Sequence, residues 1–176
     1  MYKKIANPLI AVILALTISG AIAGIASAKS LPRNTFNIMA GDKVNLTVQG
    51  AGVMTHGKST FEGELELART STLSADEMSA QKIRWVAPLL KVELKGDDKR
   101  VSQDSRLHGN AFIYFDISKQ MDKAAANGAL AIYKFDATRN IWVRLPSRYM
   151  IASKTSPAEL ASRAIGVGTY GLGWVR

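Results

Sequence analysis

The feature that most constrains this chain is a period-two alternation that returns in segment after segment. In "KVNLTVQG", Val44, Leu46 and Val48 point one way while Asn45, Thr47 and Gln49 point the other. In "FEGELELA", Phe61, Gly63, Leu65 and Leu67 alternate with Glu62, Glu64 and Glu66. Successive strand residues leave on opposite faces, so this pattern describes half-buried β-strands and not helices. "KIRWVAPLLKVELKG" reads as two strand pieces broken at Pro88, which has no N–H to give to a ladder. "GDDKR" (96–100) follows as a loop, and "NAFIYFDIS" (110–118) is a strand rich in aromatic and β-branched residues. The stretches "AIYKFDATRNIWVRLP" (131–146), "RYMIAS" (148–153) and "IGVGTYGLGWV" (165–175) continue the series. About eight or nine short strands at close spacing predict an all-β sandwich or barrel.

Three helical signals interrupt the strands as short connectors. Ser74 to Gln81 can form two turns, and Ser118 to Asn127 is Ala- and Lys-rich and stops at Gly128. "SPAELASRA" combines Ser156 as N-cap, Pro157 at the first helical position and Glu159 three residues after the cap, which predicts a helix there.

Ahead of the strands lies a segment of another kind. Lys3 and Lys4 form a short positive region, residues 8–25 are apolar or small, and Ala26-Ser27-Ala28 supplies a small-x-small cleavage pattern. Residues 1–28 therefore read as a signal peptide cut after Ala28, leaving one exported domain, 29–176, secreted or periplasmic. The rival reading is an uncleaved membrane anchor, because the apolar run approaches the roughly 18 residues of a spanning helix. Losing Lys3 and Lys4 with the leader takes the formal charge of +9 down to +7. A basic exported protein is drawn to anionic surfaces such as acidic envelope polymers or lipid headgroups. No basic run exceeds two adjacent residues, so the charge can equally serve solubility alone.

The chain has no Cys, which removes disulfides, thiol chemistry and acylation of a cleavage-site cysteine. Its two histidines, His56 and His108, lack ligand spacing with an acid or with each other and sit beside glycines in loops. No nucleophile elbow, phosphate loop, zinc motif or calcium loop occurs, and "DATRN" (136–140) lacks the glycine and closing acid of the last of these. Glu62, Glu64 and Glu66 are expected to form a solvated strand face, and Asn45-Leu46-Thr47 is a formal glycosylation acceptor. No metal, cofactor or specific nucleic-acid partner is expected.

The C-terminal half, roughly 107–174, carries a composite pattern. Tyr133, Phe135 and Asp136 end a strand, a short turn leads to Trp142, and Leu145-Pro146 closes the pair. After a crossover come Gly168, Thr169, Tyr170 and Leu172. This resembles the immunoglobulin-like β-sandwich of bacterial exported envelope proteins, and more distantly the sandwich domain shared by tight-junction and netrin-receptor proteins. The resemblance implies a fold and leaves function open. Some of those relatives cleave themselves at a His-Phe-Ser motif, but here Val167-Gly168-Thr169 stands at that place, so self-cleavage is not implied.

The hairpin within 131–146 poses a register problem. Ala131, Tyr133 and Phe135 alternate on its first strand, and Ile141, Val143 and Leu145 on its second. Joining the two apolar sets pairs Phe135 with Ile141 and leaves Trp142 on the other face beside Lys134 and Arg144. Those three residues are the candidate ligand-binding set, since an aromatic face between cations suits a sugar or an anionic polymer. The alternative has Trp142 covered by the crossover 147–160, with the Lys134 and Arg144 stems laid over it. The functional expectation is a non-enzymatic envelope or cell-surface interaction module for an anionic polymer or another envelope protein. A structural subunit assembling through sheet edges and a cell-wall or polysaccharide-acting enzyme are the alternatives.

Overall fold

Among the described residues the alternation resolves into eleven strands in two antiparallel sheets, a mostly β fold built as a sandwich. The computed structural model describes residues 32–74, 76, 77, 83–95, 107 and 110–175. The leader, the 96–100 loop, His108 and the latter part of the Ser74–Gln81 signal lie outside the described residues. One sheet has six strands in the order β1 (Arg33–Ile38), β4 (Gly63–Thr70), β5 (Leu89–Lys95), β11 (Gly168–Trp174), β7 (Leu130–Asp136) and β8 (Ile141–Arg144). The other has five, in the order β2 (Asn45–Val48), β3 (Ala51–Thr55), β6 (Ala111–Ile117), β10 (Ala158–Arg163) and β9 (Ser147–Met150). Between β6 and β7 a short helix, α1 (Asp122–Ala126), is followed by Gly128, whose φ of 71° suits the left-handed turn that closes it.

The period-two sets meet between the sheets. Leu65 and Leu67 of β4, Leu90 and Val92 of β5, and Tyr170 and Leu172 of β11 share one core with Val53, Ile113, Phe115 and Leu160 from the opposite sheet. Each such side chain contributes about 1.5–3 kcal/mol on full burial, which makes this the main source of stability. The β2–β3 hairpin turns on Gln49 and Gly50, with φ of 42° and 71°, the mirror-image turn whose twist matches that of the strands it joins.

Two local expectations are overturned. The segment predicted as a helix from Ser156 is strand β10, paired with β6 on one edge and β9 on the other. A capping box stabilises a helix by about 1 kcal/mol, whereas Ala158 and Leu160 are buried in the main core as a strand. Pro157 stands just ahead of β10, where its missing N–H interrupts no ladder. In the hairpin, Phe135 pairs with Trp142 and Asp136 with Ile141, not Phe135 with Ile141. The turn decides this. The Asp136 carboxylate accepts the N–H groups of Thr138 and Arg139, and Asn140 at φ 51° completes a four-residue loop.

That register gives the six-stranded sheet a second apolar face. Only the second of the two expected strand pieces forms a strand, β5; residues 83–86 run beside β11 ahead of Pro88, with Trp85 in an isolated bridge to Gly173 and the Val86 N–H donating to Leu172 O at 2.9 Å. The Trp85 ring lies across β11 where Gly171 and Gly173 leave room. A Cβ on Gly171 would fall 2.4 Å from the ring and 2.6 Å from Leu89. Trp85 thereby meets Tyr133 edge-on at 6.0 Å and Trp142 at 4.5 Å between centroids, in a cluster with Leu89 and Ala131. Ser74 and Glu77 form a reciprocal capping box, and Glu77 O then accepts the Trp142 Nε1–H at 3.1 Å.

The charged half of the same outer surface is not a solvated row of acids. Glu66 is buried beneath Arg33 (2.9 Å) and Lys95 (3.1 Å), Glu64 lies 3.6 Å from Lys95, and of the three only Glu62 is exposed. Arg69, at 5% exposure, points into the sandwich with its guanidinium 5.3 Å over the Phe115 ring. Its Nε and Nη1 are buried without hydrogen-bond partners, and burial pulls its pKa down to about 10 against the opposing pull of Asp116. Replacing Gly171 by Ala should push Trp85 off β11 and lower the unfolding free energy by about 1–3 kcal/mol, read as a shift in urea midpoint without a change in slope.

Candidate functional site

Register alone assembles a surface on the outside of the five-stranded sheet. Inward positions of β3, β6 and β10 hold the core, so the alternate positions face away from it. Met54 pairs with Phe112, Phe112 with Arg163, Ala161 with Arg148, and Glu159 with both Met150 and Asp116. At one end of this face a cleft of about 350 Å³ has Met54, Phe112 and Met150 along its floor and His56, Arg148 and Arg163 along its rim. The three apolar side chains are half-buried and the three basic ones exposed. An exposed guanidinium over an apolar floor can hold an anionic group in charge-assisted hydrogen bonds while the rest of a ligand lies against carbon.

Tyr114 occupies the middle of the same face and is almost fully buried. It lies flat because its cross-strand neighbours are Gly52 and Ala161. Its hydroxyl reaches over Gly52 to Thr47 Oγ1, Asn45 Oδ1 and Leu46 O, and burial raises its pKa. Asp116 and Glu159 stand opposite each other at the far end. Burial raises the Asp116 carboxyl pKa, with the Arg69 charge acting against it. Burial also raises the pKa of Glu159, and the charge of Asp116 adds to that. The face is thus acidic at one end, aromatic in the middle and basic at the other.

The residues singled out from the sequence do not come together. Trp142 is 2% exposed, and among the described residues its cover is Trp85 at 4.5 Å, Phe135 at 5.3 Å and the Glu77 carbonyl that takes its N–H. Arg144 pairs with Tyr133 on the Trp142 side of the hairpin, whereas Lys134 pairs with Val143 on the other. Arg144 instead lines a cavity of about 510 Å³ between α1 and the β8–β9 connection, along with Leu145, Ser147 and Tyr149. The Tyr149 hydroxyl of that lining is bonded to the Asp122 carboxylate. The cleft residues were missed because they come from four distant segments. Their signal was the shared parity of Arg148 with Met150 and of Glu159 with Arg163, legible only once 158–163 is read as a strand.

Among the described residues, no group of three or more His, Asp or Glu could hold a metal ion, and no helix is long and apolar enough to cross a membrane. Comparison with models of protein families, with curated proteins and with solved structures finds no match to this chain.

The raised Glu159 pKa fixes the sign of a pH effect. A carboxyl that holds its proton more tightly when folded contributes stability at low pH, and that stability is lost as pH rises through the unfolded and then the folded pKa. Glu159→Gln should therefore raise the melting temperature near pH 7 and leave it unchanged near pH 3, a comparison made by thermal unfolding at both.

Proposed function

We propose that this chain is an exported, non-enzymatic interaction module of the cell envelope, with an immunoglobulin-like sandwich, whose ligand is anionic and is held in the cleft rimmed by Arg148 and Arg163. The single observation that carries this reading is the pairing of those two exposed guanidiniums with the apolar floor of Met54, Phe112 and Met150. Lys3, Lys4, the apolar 8–25 run and Ala26-Ser27-Ala28 support export. The immunoglobulin-like reading draws on two antiparallel sheets around one core and on Tyr170, whose hydroxyl donates to Gly166 O four residues upstream, as a tyrosine corner does. The eleven-strand order is longer than the seven to nine or so strands of immunoglobulin domains, so the likeness is one of architecture.

The test is binding of the full chain to polyphosphate and to a polyuronate at rising ionic strength. Affinity should fall steeply with salt, and Arg148→Ala with Arg163→Ala should weaken it about tenfold or more at unchanged melting temperature. Absence of binding at low salt overturns the reading. A second reading, an enzyme acting on a polysaccharide, draws on the facing Asp116 and Glu159 carboxyls, because two acids with raised pKa values can divide general-acid and general-base roles. It requires release of reducing ends from an envelope polysaccharide, abolished by Asp116→Asn and by Glu159→Gln.

A further inference from the structure

The loops beside the cleft form a rim with its own character. His56 N–H donates to Asn110 O at 2.9 Å, Asn110 Nδ2 donates to His56 O and Lys58 O, and Ala164 N–H donates to Ala111 O at 2.9 Å. Ser59 Oγ in turn donates to Met39 O at 2.9 Å, and Gly41 N–H to Ser59 O at 3.0 Å. The turns around Met39, Lys58 and Ile165 are thereby tied into one row at the end of the five-stranded sheet.

Two of these turns are closed by a backbone-to-side-chain hydrogen bond at the apolar residue itself. The Met39 N–H donates to Asp42 Oδ2 at 2.9 Å, and the Ile165 N–H donates to the Tyr170 hydroxyl at 3.3 Å. Yet the side chains these turns present are apolar: Met39 is 72% exposed and Ile165 40%. They are two of the three large apolar side chains exposed among the described residues, and the third, Ile151, follows Met150 near the Glu159 end. Among the described residues of this end, Lys43, Lys58, Arg148 and Arg163 are exposed, against the acids Asp42 and Glu62, so this part of the rim carries a net positive charge.

We propose that this rim docks onto an anionic lipid bilayer, with Met39 and Ile165 entering the headgroup–acyl boundary and a lipid phosphate or other anionic headgroup seated at the cleft. Exposed apolar tips on hydrogen-bonded turns, with cations beside them, match that surface in two ways. Apolar area enters the boundary without ordering a loop first, and each lysine or arginine near the surface gains from its negative potential. An anionic polymer in solution would use the cations but gives Met39 and Ile165 nothing to enter. The inference rests on the reading of the cleft as an anion site, and its test is chosen so that the two can fail separately.

Because the chain contains no Cys, a single cysteine accepts an environment-sensitive dye at one chosen position. Full-length Met39→Cys, Ile165→Cys and Ile151→Cys chains are labelled and mixed with phosphatidylcholine vesicles, with and without phosphatidylglycerol. Dye at positions 39 and 165 should shift to the blue and brighten only when phosphatidylglycerol is present, and added salt should reverse the change. Lys43→Ala and Lys58→Ala, both outside the cleft, should each raise the lipid concentration at half-change about fivefold. The 8–25 run can tether the chain to any vesicle, and that outcome is distinguishable. An equal response at position 151, or one independent of phosphatidylglycerol, overturns rim docking. Dyes at 39 and 165 that stay in water while polyphosphate still binds overturn it too, and leave the cleft reading standing.

Discussion

Between Tyr170 and Trp174 one length of backbone serves two interiors, and most of the fold is arranged around that constraint. Tyr170 and Leu172 of β11 face the sandwich core, while Gly171 and Gly173 face outward beneath Trp85. An indole can cross a strand only where that strand presents no side chain, because interiors are close-packed. Glycine on one parity of β11 provides that room, and the indole of Trp85 fills it. Tyr133 and Trp142 then close around that indole, in the β7–β8 register that the Asp136 turn sets.

Charge is handled differently on the two outer surfaces. On the six-stranded sheet, acids and bases alternate across strands, so Arg33, Lys95, Lys91, Glu64, Glu66 and Glu93 neutralise one another locally, and the Lys91 ammonium holds the Glu93 carboxyl below its usual range. On the five-stranded sheet, charge is separated along the strands, with Asp116 and Glu159 at one end and Arg148 and Arg163 toward the other. Neutralised surfaces attract little, whereas segregated ones keep a field and an orientation. The two surfaces are therefore suited to different tasks: the first stabilises the sheet, and the second is able to recognise a charged partner. Arg69 belongs to neither, as a cation held inside by its stacking on Phe115 with two nitrogens unbonded.

Much of the architecture was legible from alternation, because β2, β4 and β6 each bury one parity in the core. The errors fell where a strand has two covered sides or a local signal competes with distant partners. In the hairpin, Ile141 and Val143 lie opposite Trp142 in parity, so apolar matching could not choose a register that turn chemistry did choose. In 156–164 the capping pattern is contiguous and visible, while the edges of β6 and β9 that make the segment a strand are many residues away. The basic cleft was invisible for the same reason. Its rim depends on Arg163 having strand parity, which a helix at that place would have hidden.

The cover over Trp142 has a consequence for how the molecule comes apart. The small cluster of Leu89, Ala131, Tyr133 and Trp142 shares no member with the main core. Among the described residues of its cover, Leu73 packs on the cluster, and Ser74 and Glu77 add a capping box and the hydrogen bond to the Trp142 indole. Proteins open in cooperative units of unequal stability, and a unit with few contacts opens first. The sandwich can therefore stay folded while this cover lifts, baring a flat aromatic surface on an intact sheet. A chain in that state would keep its sandwich and bare one aromatic patch, so the Glu77 hydrogen bond to Trp142 bears on how often that patch meets solvent.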